Sequence, residues 1–86
     1  MKPAEIKVGK TYLNRGAGRT RRIVLAIGDE HRPKEWSEER RAPSQPGVYY
    51  EHHESGVPIY RAKTYLRSFA SWAGKDCGYV NREQAV

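Results

Sequence analysis

The run Thr20-Arg21-Arg22-Ile23-Val24-Leu25-Ala26-Ile27, ended by Gly28, limits the folds open to this chain more than any other stretch. Apolar and β-branched residues in unbroken succession favour a pleated strand. Side chains alternate along a strand, so Ile23, Leu25 and Ile27 are predicted to face one way and Arg22, Val24 and Ala26 the other. The first face is wholly apolar, and the second is polar only at Arg22. The far half of the strand is therefore expected to be covered on both sides, as in a small sheet that curls over itself.

The segments on either side supply its partners. Ile6 and Val8 flank Lys7 in the pattern of a short first strand, and Gly9-Lys10 bends into Thr11-Tyr12-Leu13. The glycine-rich turn Asn14-Arg15-Gly16-Ala17-Gly18-Arg19 then predicts an antiparallel hairpin with a basic tip. Asp29 to Pro46 is a long polar loop of mixed charge with three prolines, where Pro33 is suited to open a helical turn reaching Glu39. Gly47 to His53 is a second strand, turned back by Glu54-Ser55-Gly56 into Val57 to Arg61, and Pro58 marks that return as an edge. After it the period changes. Leu66, Phe69, Ala70 and Ala73 fall on one helical face, with Thr64 placed to cap the start and Gly74 placed to end the helix in a left-handed conformation. Gly78-Tyr79-Val80 is predicted as a last short strand, and residues 81–86 as a fraying tail.

About five short strands, one long loop and one short helix before the final strand make a mainly β chain with the plan of an SH3-like barrel. Its 86 residues allow one domain with a modest core. Eight glycines, five prolines and 30% charged residues suit a turn-rich β domain better than a helical bundle. No apolar run is long enough to span a bilayer and the first residues lack a signal-peptide core, which predicts a cytoplasmic protein; the single Cys77 agrees with a reducing compartment.

Four stretches also carry a resemblance: Val8-Gly9-Lys10-Thr11-Tyr12, Arg22-Ile23-Val24-Leu25, Val48-Tyr49-Tyr50-Glu51 and Ser68-Phe69-Ala70-Ser71-Trp72-Ala73. Their succession, over most of residues 6 to 73, is similar to that in a group of short proteins encoded by bacteriophages and prophages. The resemblance implies a barrel-like fold and a bacterial or phage cytoplasmic setting. It carries over no catalytic residue and no ligand.

Charge placement is the main functional signal. Of the sixteen Lys and Arg residues and ten acidic ones, seven bases and only Glu5 lie in residues 1–22, and the remainder balance at nine each. The whole net charge of +6 thus sits at one end, which predicts a positive lobe. Lys10, Arg15, Arg19, Arg21 and Arg22 are the residues expected to meet phosphates of DNA or RNA, with Tyr12 as a stacking partner and Tyr49 or Tyr50 as substitutes. The plainer reading is a solvated turn with core tyrosines. The rival function is a protein-interaction module in the long loop, binding a host or phage protein, where Trp36 stands beside Arg40 and Arg41; the plainer reading of Trp36 is a cap over an open barrel end. A structural barrel within a virion is a third reading.

No constellation declares a reaction. His52 and His53 are adjacent on a strand and so point to opposite faces, which makes a shared metal implausible even with His31 and Cys77 nearby in principle. Cys77 has Asp76 and Lys75 beside it but no histidine at a suggestive spacing. The expectation is a small non-enzymatic binding protein with no metal, cofactor or small-molecule substrate.

Overall fold

A computed structural model describes residues 1–16, 19–33 and 46–80. Five strands, β1 (Lys10–Asn14), β2 (Thr20–Gly28), β3 (Gly47–Glu54), β4 (Val57–Tyr65) and β5 (Ala73–Tyr79), form a single sheet, and one helix, α1 (Leu66–Trp72), precedes the last strand. All pairings are antiparallel, in the order β4-β3-β2-β1-β5. The basic hairpin, the β3–β4 hairpin and the edge position of Pro58 form as expected. The expected closure into a barrel does not: β4 and β5 are the two edges and do not pair with each other among the described residues. Instead α1 joins them directly, leading out of β4 and into β5.

The core lies on one face, hereafter the inner face. It comprises Ile6, Tyr12, Val24, Val48, Tyr50, Phe69, Ala70 and Ala73, with Ile27, Ala62, Leu66 and Trp72 packed at its margin. Phe69 is fully buried and meets Tyr12 and Tyr50 edge-on, each at a centroid distance of 5.6 Å, and Trp72 at 5.3 Å. These offset and edge contacts are the arrangements that aromatic quadrupoles favour.

Strict alternation fails in β2. Val24 pairs with Tyr50 and Ile27 with Val48, but between them Ala26 pairs with Tyr49, which leaves Leu25 as an extra residue. This bulge reverses the phase of the strand. Arg22, Val24 and Ile27 consequently share the inner face, while Ile23 and Ala26 turn outward, a correction to the expected Ile23-Leu25-Ile27 core stripe.

Three further expectations change. No strand forms at Ile6 to Val8, because Pro3–Glu5 is a 3₁₀ turn and Tyr12 occupies the backbone beyond it: its hydroxyl donates to the Glu5 carbonyl and accepts from the Lys7 N–H, both at 2.8 Å. Thr64 remains in β4 and Tyr65 takes the cap position of α1 without a side-chain hydrogen bond. Gly74 does not adopt a left-handed conformation; Ala73 is already extended (φ −72°, ψ 131°), so β5 starts as soon as the helix ends.

The β3–β4 turn is built on Ser55 (φ 52°) and Gly56 (φ 82°), two consecutive positive values that match the twist of the flanking strands. Serine is not a residue that favours this region. Ser55→Asn is expected to raise stability by about 0.5–1 kcal/mol, read as a higher urea midpoint at unchanged slope. No gain would mean that the turn adopts another conformation.

Candidate nucleic-acid interface

The six residues expected to bind nucleic acid do not form one surface. Tyr12 is completely buried, so no base can stack on it; burial pushes its phenol above the ordinary value, and the Lys7 N–H bond partly offsets this. Lys10 is held by Asp76, with Nζ 2.7 Å from Oδ2. That bond raises the Lys10 pKa and, together with the Gly78 N–H donating to Oδ1, holds the Asp76 carboxyl below its usual range.

Arg22 is occupied still more fully. Its guanidinium carbon lies 4.2 Å from the centre of the Trp72 ring and 4.5 Å from that of Tyr50, a cation held between two π faces. Its Nε–H donates to Nδ1 of the buried His52 at 3.2 Å. Because an arginine nitrogen has only hydrogens to give, Nδ1 must present a lone pair, and the imidazole proton sits on Nε2, where it is donated to Glu54 Oε2 at 3.1 Å. Tyr60 stacks on His52 at 4.6 Å and completes the cluster. Both ring nitrogens of His52 are therefore committed to structural bonds.

Arg15, Arg19 and Arg21 remain exposed and make no side-chain ion pair among the described residues. Register places Arg21 on the outer face of the sheet, opposite the core. Leu13 pairs with Arg21 on one side and with Lys75 on the other, and Arg21 pairs with His53, so Lys75, Leu13, Arg21 and His53 form one row across four strands. The neighbouring rows are Thr11, Ile23, Glu51 and Arg61, and then Ala26, Tyr49 and Lys63. Glu51 is the only carboxylate in these three rows, and it is already spent: Oε1 lies 2.6 Å from His53 Nε2 and Oε2 accepts from Arg61 Nε at 3.0 Å. The outer face thus carries the uncompensated charge of Arg21, Lys63 and Lys75. Tyr49 lies in the last of these rows, with His31 stacked 5.8 Å away and nearly parallel.

Nothing matches the chain in comparisons with protein-family models, with curated proteins or with solved structures. Its chemistry has to be argued from this geometry.

Lys63 and Lys75 were not singled out by the sequence. The alternation Arg61-Ala62-Lys63 was a usable signal, since it places two cations on one side of β4. Lys75 escapes the sequence reading because that reading starts the last strand only at Gly78, whereas β5 begins at Ala73. His52 and His53 do point to opposite faces, each paired with a different glutamate. Trp36, Arg40 and Arg41, the helical turn expected after Pro33, and the tail 81–86 lie outside the described residues.

Two carboxylates give the fold an acid limit. The His53 bond and then Arg61 hold Glu51 below the ordinary carboxylate range, as Lys10 and Gly78 do for Asp76. A carboxylate with a depressed folded-state pKa contributes stability above its unfolded value and loses it as pH falls through the folded one. Stability is therefore expected to decline from about pH 4 downward. The double variant Glu51→Gln, Asp76→Asn should be less stable at neutral pH and flatter over that range in urea titrations. Parallel acid limbs for both proteins would contradict this assignment.

Proposed function

We propose that this chain is a non-enzymatic nucleic-acid-binding domain with an open form of the SH3-like plan, and that it contacts phosphates with the outer face of its sheet and the base of the β1–β2 hairpin. One observation carries this reading. Arg15, Arg19, Arg21, Lys63 and Lys75 remain without ion-pair partners among the described residues, whereas Asp76 is paired with Lys10 and Glu51 with Arg61. A positive sheet face with half-buried Leu13, Ile23 and Tyr49 between its charges offers a backbone track and apolar surface for sugars and bases. The strand order, with β5 beside β1 and a helical turn before β5, is in keeping with the SH3-like plan. The resemblance to short phage and prophage proteins favours a bacterial setting.

The reading has a quantitative consequence. Five phosphate contacts on a single strand give a logarithmic salt slope of roughly −3.5, so a fourfold rise from about 50 to 200 mM salt should weaken binding on the order of 100-fold. Fluorescence anisotropy with labelled single-stranded DNA, duplex DNA and RNA measures this directly. Weak dependence on salt, or no binding to any of the three at low salt, would overturn it and turn attention to a protein partner.

A further inference from the structure

We infer that the open groove where the β1–β2 hairpin meets β5 is a phosphate subsite. This rests on the nucleic-acid reading above and names the place where that interface grips the backbone. The groove has a volume of about 320 Å³ and is lined by Leu13, Asn14, Arg15, Gly16, Gly74 and Lys75. Two cations and two glycines border it, and among the described residues no carboxylate does.

Local backbone geometry explains why the charge is left open. Lys75 and Asp76 are adjacent on β5 and so point to opposite faces; Lys75 pairs with Leu13 on the outer face, whereas Asp76 turns away toward Lys10 and the Gly78 N–H. The sequence neighbour that would neutralise Lys75 is thereby withdrawn. Between Lys75 and Ala73 the register shifts, leaving Gly74 as an extra residue outside the regular ladder. Its lack of a side chain is needed there: a Cβ would lie 2.9 Å from Arg15 Cα. Close approach of the two backbones brings the roots of Arg15 and Lys75 to the same groove. The Arg15 N–H donates to the Trp72 carbonyl at 3.1 Å, which ties the arginine's backbone to the end of α1 and so to the core. The result is a guanidinium and an ammonium rooted on adjoining backbone, bordering a concavity that Leu13, Asn14 and two glycines complete. An oxyanion with several acceptor oxygens is the ligand this suits.

The row Lys75, Leu13, Arg21 sets the direction of the strand. Neighbouring strands lie about 4.8 Å apart, so Lys75 and Arg21 are separated by roughly 10 Å across Leu13. A strand whose phosphate occupies the groove would run over Leu13 toward Arg21, perpendicular to β1.

Amide chemical shifts of Gly16 and Gly74 provide the test, in titrations with inorganic phosphate and with a short single-stranded oligonucleotide. Both amides are expected to move with either probe. Both responses should vanish in the double variant Arg15→Gln, Lys75→Gln, whose oligonucleotide affinity should fall about tenfold at low salt while its salt slope shrinks by roughly 1.4. Both side chains are exposed, and an unchanged thermal midpoint verifies that the variant folds. Oligonucleotide binding that moves the amides of Arg21 and Lys63 but not those of Gly16 and Gly74 would overturn the subsite and leave the nucleic-acid reading standing. Response to inorganic phosphate without any oligonucleotide binding would keep an anion site but overturn nucleic acid as its source. Silence of both glycines to both probes would overturn the subsite outright.

Discussion

Replacing Phe69 with alanine is expected to remove about 3–5 kcal/mol of stability, most of what a domain of this size possesses. Phe69 is fully buried and touches three other aromatic rings, so truncation leaves a cavity bordered by Tyr12, Tyr50 and Trp72 that rigid rings cannot close. It is also the residue that fastens α1 to the sheet, together with Ala70 on the next helical position. Urea unfolding should show a midpoint lower by about 2–3 M for a slope of about 1.5 kcal/mol/M, within the usual range of about 1–3 kcal/mol/M. Phe69→Leu, which retains part of the volume, should lose distinctly less. A loss under about 1 kcal/mol in the alanine variant would mean that α1 is not packed on the inner face, and the placement of β5 would fall with it.

The second large effect separates two adjacent arginines. Arg22→Met keeps an apolar stem between Tyr50 and Trp72 but removes the cation from both ring faces and the donor from His52. Two partly desolvated cation–π contacts and one hydrogen bond together make a loss of about 2–3 kcal/mol the expected result. Arg22→Lys should not restore it, because an ammonium cannot lie flat between two rings while directing an in-plane N–H at His52 Nδ1. Arg21→Gln, on the exposed outer face, should stay within about 0.5 kcal/mol of the parent in stability. Nucleic-acid affinity is expected to show the reverse order: Arg21→Gln weakens it in a folded protein, and Arg22→Met changes it only as far as the folded fraction falls. Equal stability of the Arg21 and Arg22 variants would contradict the caged position of Arg22. Stronger loss of binding from Arg22→Met under fully folding conditions would place Arg22, and not Arg21, at the phosphate.

This division shows what kind of information the chain carries locally. The β1–β2 hairpin, the aromatic β3, the edge position of Pro58 and the helical spacing of Phe69 and Ala70 were legible because each depends on residues within one turn or one strand. The candidate interface was legible only in part. Arg15, Arg19 and Arg21 were named from the excess charge of the first 22 residues, a quantity that does not depend on the fold. Tyr12, Lys10 and Arg22 were indistinguishable from them by sequence, yet one lies in the core, one is tied to Asp76 and one lies between Tyr50 and Trp72.

The sequence alone determined a mainly β chain of five strands and a late helix, and it determined where the positive charge is concentrated, since alternation, turn residues and formal charge are local properties. Tertiary structure alone decided which of those charges remain available. The Leu25 bulge reversed the phase of β2 and carried Arg22 to the inner face, beside Tyr50 from β3 and Trp72 from α1. Pairing of β1 with β5 spent Asp76 on Lys10 and exposed Lys75 beside Arg15. Each outcome depends on the register between strands distant in sequence, and a slip of one residue moves a side chain from one face of a sheet to the other.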